Sequence, residues 1–323
     1  DPSATHNPTV CRPLAAGGRH TSPGEPPKDE RGTTVTQFLQ YTLQGLAAGG
    51  FYALAALGLA VIFGVLGVVN FSHGACYMLG AMISALLLKN FDLGFWPALV
   101  IVPVIMFFIG VLVERLLVQW LLKLDPLYNF LLTFGLTLLT VDFMKRQFGV
   151  SSLKYEVPAG LTGRISVGSV DLSVYQMFAA AFAVFICLVV WMILTKTRVG
   201  MIVRAATEDP ERSRALGINV ARWVTPVFGF GIALAGLAGV LAAPYRAINA
   251  DMGTNFIIIL FAIVVIGGLG SILGAVVAGF LVGLVEAYGQ GYYGQLSQVL
   301  IFVLMAAVVL IRPAGLFGRE EAA

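Results

Sequence analysis

The sequence predicts an all-α, polytopic membrane protein with about eight transmembrane helices, some of them broken or re-entrant, and a small hairpin outside the membrane. Two observations support this fold class. Hydrophobic residues make up 58% of the 323 residues, whereas only 11% are charged, and apolar runs long enough to cross a bilayer recur along the chain. The chain also has 37 glycines, a content that suits close helix packing in lipid.

The first 35 residues differ in composition from the rest of the chain. They are rich in Pro, Gly, Thr and charge, with few large apolar residues. Such a segment cannot bury enough apolar surface to fold, so we expect a disordered tail over residues 1–35. The transmembrane domain then covers residues 36–319, and residues 320–323 form a short C-terminal tail.

The first apolar run, residues 43–88, is too long for one crossing. As a helix it would be about 69 Å long, against a hydrocarbon core of about 30 Å. It must cross twice, and the polar cluster at 70–74 is the natural turn. Its side chains Asn70, Ser72 and His73 either satisfy exposed backbone groups at the membrane surface or belong to a gate in a transport path.

Two hydrophobic helices are predicted next, at residues 95–118 and 127–144. Glu114 and Arg115 end the first of them and are expected to form an interfacial pair. The charged residues Asp142, Lys145 and Arg146 close the second helix at the interface.

Three threonines, Thr133, Thr137 and Thr140, recur at helical spacing on one face of the second of these helices. Their hydroxyls either bond back to their own helix or line a wet passage, in which case Thr133 belongs to the path.

A polar interval at residues 145–174 contains a small β-hairpin. The alternation of Arg164-Ile165-Ser166-Val167 and Val170-Asp171-Leu172-Ser173 on either side of Gly168-Ser169 predicts two strands joined by a two-residue turn. The next crossing is predicted at residues 175–194.

Residues 198–222 form the most densely charged stretch between the membrane segments. Asp209 is a good N-cap, Pro210 suits the first helical position, and Gly217 can end a short surface helix. An excess of arginine places this stretch in the cytoplasm by the positive-inside rule. It is either a topology signal alone or, because of its apolar face, a docking site for a soluble partner.

The C-terminal half begins with a predicted helix at 224–243, which carries small residues at Gly229, Ala233, Gly236 and Gly239 that would allow close packing. An outer loop at 244–253 with Arg246 and Asp251 follows.

The segment 255–288 would be about 51 Å long as one helix, which is too long for one simple crossing. The glycine cluster at 267–271 therefore predicts a kinked or re-entrant break. A last span follows at 296–311. The chain thus has eight hydrophobic segments, or nine if the cluster separates two, and the side on which the C-terminus lies stays open.

Glu286 lies toward the end of the 255–288 segment. A charge at the bilayer centre costs about 2.5–3.5 kcal/mol on insertion scales, and the cost falls near the interface. Glu286 is therefore either a solvated helix end or a functional group in the path.

The absence of several motifs from the sequence excludes function classes. There is no GxxxxGK motif followed by Ser or Thr, so the usual ATP site is missing, and no HExxH or GxSxG motif indicates catalysis. The few ionisable groups within the apolar segments argue against a proton-driven or sodium-driven carrier, so an outside source of energy is expected. Neither nucleic acid binding nor a metal or disulfide framework is indicated.

Four stretches together resemble the LIV-type permease of branched-chain amino acid ABC importers. They are YALAALGLAVIFGVLGVVNFSHGACYMLGA at 52–81, RVGMIVRAATEDPERSRALGINVAR at 198–222, VVIGGLGSILGAVVAGFLVGLVEA at 264–287 and IRPAGLFGR at 311–319. The similarity covers about residues 37–319. Ser72 and Cys76 depart from the usual residues of the first motif.

The resemblance implies a multi-pass subunit of the bacterial inner membrane, with the hairpin in the periplasm. Its expected partners are a second homologous permease, two cytoplasmic ATPase subunits and a periplasmic substrate-binding protein. ATP is bound by the ATPase subunits, so no cofactor and no enzymatic activity are expected in this chain. The residues expected to couple to the ATPases are Arg204, Glu208, Asp209, Glu211, Arg212, Arg214 and Gly217.

The expected mechanism is ATP-driven alternating access. The residues assigned to the translocation path or its gate are Asn70, Ser72, His73, Thr133, Gly267, Gly268, Gly270 and Glu286. Branched-chain amino acids are the expected substrates, and urea or short amides are the alternative. A stand-alone secondary carrier or channel is the competing class of function; it would need no ATPase.

Overall fold

The computed structural model describes residues 30–318, apart from 122–123, 150, 168–169, 209–212, 214 and 216–219. The helices follow one another as α1 (Glu30–Leu66), α2 (His73–Phe91), α3 (Phe95–Leu121), α4 (Pro126–Phe148), α5 (Val174–Lys196), α6 (Arg198–Glu208), α7 (Val220–Ala242), α8 (Met252–Gly267), α9 (Ile272–Tyr293) and α10 (Ser297–Ile311). The hairpin strands are β1 (Arg164–Val167) and β2 (Val170–Ser173).

The predicted all-α membrane fold is confirmed. Within the described ranges, seven helices are long and apolar enough to cross a membrane, and α8 and α10 are shorter apolar helices. The glycine cluster does separate two helices, so the described part of the chain contains nine apolar segments, the second of the two predicted counts. At 16 residues α8 is about 24 Å long, which is shorter than a typical hydrocarbon core.

Helices α1 and α7 form the centre of the bundle. The spans of α1 and α7 are the most buried of the seven, and α1 packs against α5, α7 and α9. By contrast α3, α4 and α5 expose large apolar side chains, for example Phe108, Leu139 and Phe185. This distribution fits central helices surrounded by protein and outer helices that face lipid.

The predicted small-residue stripe on α7 is confirmed as a packing surface. A Cβ at Gly229 would lie 2.9 Å from the carbonyl oxygen of Phe107, and one at Gly236 would lie 2.5 Å from Cγ of Met106, both in α3. A Cβ at Gly239 would overlap the carbonyl oxygen of Tyr77 in α2. Glycine therefore lets α7 touch the backbones of its neighbours.

The first crossing differs from its prediction at both ends. Helix α1 begins at Glu30, so six residues of the expected tail are helical, and residues 1–29 lie outside the described part of the chain. Helix α1 ends at Leu66, and α2 begins at His73. The predicted turn at 70–74 was therefore placed too late, because the irregular segment spans 67–72 and His73 already belongs to a helix.

The predicted hairpin is confirmed over its described residues, with Arg164 opposite Ser173 and Ile165 opposite Leu172. Helix α5 begins at Val174, directly after β2. Upstream of the hairpin, the backbone NH of Leu153 donates to the carbonyl oxygen of Ile248 at 2.8 Å. This bond joins the polar interval to the outer loop between α7 and α8.

The C-terminal segment lies on the side opposite to that loop. The backbone NH groups of Leu316 and Phe317 donate to the carbonyl oxygens of Ile266 (2.9 Å) and Gly267 (3.1 Å) at the end of α8. Helix α7 begins at the same end of the bundle, where Val224 packs against the last turn of α1. The described C-terminal segment, up to Gly318, thus lies at the same end of the bundle as the start of α7.

Candidate functional site

The segment 67–72, here called the re-entrant segment, runs back into the bundle. The His73 ring nitrogen Nε2 lies 3.0 Å from the carbonyl oxygen of Ala55. Ala55 precedes Leu66 by 11 residues, which is about 16 Å along α1. Asn70, Ser72 and His73 are all buried, with at most 3% of each residue exposed. The turn predicted at the membrane surface therefore lies within the protein.

Two threonines of α4 hold the backbone of the re-entrant segment. The Phe71 NH donates to Thr133 Oγ1 at 3.2 Å, and Thr137 Oγ1 donates to the Phe71 carbonyl oxygen at 3.2 Å. Within the segment, Asn70 Oδ1 accepts bonds from the NH (3.0 Å) and the hydroxyl (2.6 Å) of Ser72. Irregular backbone at membrane depth requires such partners because lipid offers none.

The threonine hydroxyls also bond back to α4, which was the first of the two predicted alternatives. Thr133 donates to the Asn129 carbonyl oxygen at 3.0 Å, Thr137 to that of Thr133 at 2.9 Å, and Thr140 to that of Leu136 at 2.7 Å. Three buried polar atoms in this region, Asn70 Nδ2, His73 Nδ1 and Asn129 Oδ1, have no bonding partner among the described residues. They offer both donors and acceptors to a polar molecule.

Glu286 lies at the centre of a second polar group, here called the Glu286 cluster, which comprises Tyr52, Arg246, Glu286 and Gln290. Its carboxylate accepts bonds from the Tyr52 hydroxyl (2.6 Å), from Arg246 Nη2 (3.1 and 3.2 Å) and from Gln290 Nε2 (3.1 Å). Only 5% of Glu286 is exposed. The solvated helix end is therefore excluded in favour of a buried ion pair.

Aromatic rings join the Glu286 cluster to α2 and α8. The rings of Tyr77 and Phe256 are stacked with their centroids 3.7 Å apart, and Phe256 is 5.6 Å from the ring of Tyr52. The guanidinium carbon of Arg246 lies 5.5 Å from the Tyr52 centroid, within cation–π range. Burial raises the pKa of the neighbouring Tyr245 phenol, so this tyrosine stays neutral.

The predicted break at the glycine cluster is confirmed, and the C-terminal segment covers it. Gly268 and Gly270 have φ angles of 99° and 78°, which favour glycine. Ser271 caps α9 by accepting a bond from the Gly274 NH at 3.1 Å. The backbone at Gly267 and Gly268 is therefore buried, and Gly268 lies against the backbone of the C-terminal segment, whereas Leu269 is 50% exposed.

The residues predicted for the path fall into separate places. Asn70, Ser72, His73 and Thr133 lie together, and they are connected to the Glu286 cluster through α2. The glycine cluster precedes α9, whereas Glu286 lies about 21 Å along that helix from Ile272.

A cavity of about 240 Å³ between α1, α5 and α9 has apolar walls that include Leu57, Cys187 and Phe280. None of the predicted path residues lines it.

Most of the predicted coupling residues, namely Asp209, Glu211, Arg212, Arg214 and Gly217, lie outside the described residues. The charged segment begins with α6, a helix that was not predicted, and Glu208 is its last residue. Arg204 is exposed and donates from Nη2 to the Thr195 carbonyl oxygen at 3.4 Å. Val203 is buried. Helix α6 packs against α5 and α1, so a movement of α6 is transmitted to the central helix α1.

The interfacial pair expected for Glu114 and Arg115 is wrong. Only 1% of Glu114 is exposed, and its Oε2 accepts a bond from the Thr225 hydroxyl of α7 at 2.6 Å. Helix α3 does not end there but continues through a π-helical turn, Glu114–Val118, to Leu121. Such turns are frequent at functional sites.

A Thr225→Val substitution tests the importance of the Glu114 bond. We expect it to destabilise the fold by about 1–3 kcal/mol, since it leaves a buried carboxylate without its donor. Thr140→Val is the matched control, because among the described residues the Thr140 hydroxyl bonds only to Leu136 of its own helix. Unfolding in a detergent titration measures both. Equal stability of the two variants would contradict a structural role for the Glu114 bond.

Sequence reasoning missed Tyr52, Gln290 and Thr225, and it placed Arg246 in a loop without a partner. Two signals were present. Gln290 follows Glu286 by four residues, a spacing that brings side chains together on a helix. Tyr52 lies in an apolar run, and a buried tyrosine hydroxyl usually has a hydrogen-bond partner.

Comparison with known proteins places this arrangement in a family. The sequence model of the family described as "Branched-chain amino acid transport system / permease component" matches residues 41–309. The high-affinity branched-chain amino acid transport system permease protein BraD of Pseudomonas aeruginosa is 30% identical over 302 residues, which are 89% of this chain and 98% of BraD. No solved structure matches the chain at a significant level.

Two Escherichia coli permease proteins of high-affinity branched-chain amino acid transport systems also resemble it. LivH is 30% identical over 303 residues, covering 88% of this chain and 96% of LivH. LivM is 27% identical over 288 residues, covering 82% of this chain and 67% of LivM. The seven candidate spans of its described residues and these relatives show that the chain is a multi-pass protein of the bacterial inner membrane. The chain belongs to the family of branched-chain amino acid transport permease components.

Proposed function

We propose that this chain is the membrane-spanning permease subunit of an ABC importer and forms part of the translocation path for branched-chain amino acids. The observation that carries the proposal is the 30% identity to BraD over 89% of this chain and 98% of BraD. The chain itself performs no covalent chemistry, and ATP is bound by partner subunits, in keeping with the missing phosphate-binding motif.

The proposed assembly contains a second homologous permease, two cytoplasmic ATPase subunits and a periplasmic binding protein. The resemblance to both LivH and LivM supports a permease partner, since each is named as a permease protein of this type of transport system in one organism. The charged segment 198–222 is the proposed ATPase contact. The outer loop between α7 and α8 and the hairpin form the proposed contact for the binding protein.

The mechanism is alternating access driven by the ATPases. Movement at residues 198–222 reaches α1 through α6, because α6 packs against α1 and α5. Helix α1 carries Tyr52, which bonds Glu286 of α9. A shift of α1 therefore changes contacts in the Glu286 cluster, on the outer side of the bundle.

An Arg212→Glu substitution tests this assignment in the reconstituted complex. We expect leucine uptake driven by ATP to fall at least about tenfold, as expected for a reversed charge at a protein contact, while the permease stays folded in the membrane. The matched control is Arg146→Glu on the opposite side, where Arg146 forms an exposed pair with Asp142; uptake should change little.

Purification of the complex is a second test of this assignment. It should yield ATPase subunits and a second permease in stoichiometric amounts. A chain that is purified alone and still moves leucine would contradict the proposal.

A further inference from the structure

We propose that the Arg246–Glu286 ion pair is a binding site for the charged groups of a zwitterionic α-amino acid. The amino acid enters by exchanging partners with the pair: its carboxylate binds Arg246 and its ammonium group binds Glu286. This inference rests on the proposed function and deepens it, since it names the residues that bind the charged groups of the solute.

The guanidinium of Arg246 has N–H donors that are not used in its bonds to Glu286 and Tyr52. Its Nη2 makes the bonds to Glu286 and to the Tyr52 hydroxyl (3.1 Å), whereas Nη1 and Nε have no hydrogen-bond acceptor among the described residues. The Arg246 side chain is 32% exposed, so a solute can reach it. A planar guanidinium binds a carboxylate in a bidentate manner through Nη2 together with either Nη1 or Nε. A solute carboxylate would therefore use one of the free donors and the Nη2 that Glu286 releases when the pair opens.

Glu286 is prepared for a replacement cation. Its side chain is only 7% exposed, and Tyr52 and Gln290 hold the carboxylate oxygens independently of Arg246. When the guanidinium turns to the solute carboxylate, those two bonds keep Glu286 in position. The solute ammonium, with three N–H donors, then takes the place of Arg246 on the carboxylate.

The charge balance selects zwitterions. A buried charge without a partner is strongly unfavourable. An anion that drew Arg246 away would leave Glu286 uncompensated, and a cation on Glu286 would leave Arg246 uncompensated. A neutral solute such as urea supplies neither charge. A zwitterion replaces both partners together, so the pair opens without leaving an isolated charge.

The surroundings of the pair suit an apolar side chain. The stacked rings of Tyr52, Tyr77 and Phe256 lie beside Arg246, and Phe51 packs near Tyr245 with ring centroids 5.9 Å apart. Aromatic walls with a few placed polar groups are typical of small-molecule sites. These rings are buried, with 0% of Tyr52, 1% of Tyr77 and 3% of Phe256 exposed, so the side chain of an aliphatic amino acid would reach them only when the pair opens.

The test uses the complete importer complex in nanodiscs, without its binding protein, and saturation-transfer NMR of L-leucine. We expect a leucine signal that valine displaces. Leucinamide, which lacks the carboxylate, and 4-methylpentanoate, which lacks the ammonium group, should compete at least about tenfold less well, because each loses one charge-assisted contact. If either analogue competes as well as valine, or if leucine gives no signal, the proposal is wrong.

The double variant Arg246→Gln/Glu286→Gln localises the site while leaving no unpaired charge. Leucine should bind it at least about tenfold more weakly than the wild type, for the same loss of charged contacts. The control double variant Asp142→Asn/Arg146→Gln removes an exposed pair in α4 on the same side and should bind leucine normally. Undiminished leucine binding by the first variant would overturn the site. The importer assignment is tested separately. The wild-type complex from the same preparation is transferred from nanodiscs to liposomes, and its uptake of leucine is measured.

Discussion

A leucine at Gly268 is expected to destabilise the permease by roughly 2–6 kcal/mol, through backbone strain and overpacking together. Gly268 has a φ angle of 99°, a conformation that is essentially restricted to glycine in combination with its extended ψ. A Cβ there would lie 2.5 Å from the backbone nitrogen of Gly318 and 2.9 Å from the carbonyl oxygen of Ala314. The side chain would therefore push the C-terminal segment off the end of α8.

The consequence of that displacement is loss of two backbone bonds. The end of α8 leaves carbonyl oxygens without intrahelical partners, and those of Ile266 and Gly267 accept bonds from the C-terminal segment. Ile266 and Gly267 are buried, so each freed carbonyl adds to the cost. Transport should be lost with stability, because α8 and α9 are positioned by this junction.

The control for Gly268→Leu is Gly135→Leu in α4. Gly135 has open space where a Cβ would be and no positive φ angle, so leucine there adds only lipid-facing surface. Thermal unfolding of both variants in a mild detergent measures the difference. If both variants unfold at the same temperature, the junction is not held as the structure describes it.

This junction illustrates what could be predicted from the sequence. The cluster Gly267-Gly268-Leu269-Gly270-Ser271 in the middle of an overlong apolar run predicted the break, because glycine lowers the cost of leaving a helix. The packing of the C-terminal segment against the break could not be predicted in the same way. Its bonds join backbone atoms about 50 residues apart, and backbone bonds leave no side-chain pattern in the sequence.

The re-entrant segment shows that the sequence also does not predict how deep a polar segment lies in the bundle. Its polar residues predicted an interruption between two helices, and that interruption is present. Their position inside the bundle depends on Thr133 and Thr137, which lie more than 60 residues away. A polar cluster has the same composition at a surface and in a core, and only its partners distinguish the two.

The charged residues show how sequence neighbours mislead. Glu114 and Arg115 are adjacent, but consecutive residues on a helix do not face each other. Glu114 instead faces Thr225, 111 residues further along the chain. The pairing of Arg246 with Glu286 likewise crosses 40 residues and requires the outer loop to enter the bundle. Long-range charge pairs of this kind become visible only after the fold is known.

An Arg246→Ala substitution is expected to destabilise the permease by about 3–5 kcal/mol, the range for breaking a buried ion pair by removing one partner. Glu286 would keep its bonds to Tyr52 and Gln290 but lose its positive partner. Lys145→Ala is the comparison, since the Lys145–Asp251 pair is exposed on both sides, and we expect a loss of about 0–1 kcal/mol. Unfolding in detergent measures both.

Adding Glu286→Gln to Arg246→Ala should restore much of the lost stability, because the buried negative charge is then gone as well. Recovery in the double variant would show that the cost comes from the unpaired charge and not from lost packing of the arginine stem. If the double variant is less stable than Arg246→Ala alone, the arginine acts mainly through its packing on Tyr52. If the double variant recovers stability but does not bind leucine, the function of the Arg246–Glu286 pair is to bind the solute, since the fold is nearly as stable without the pair.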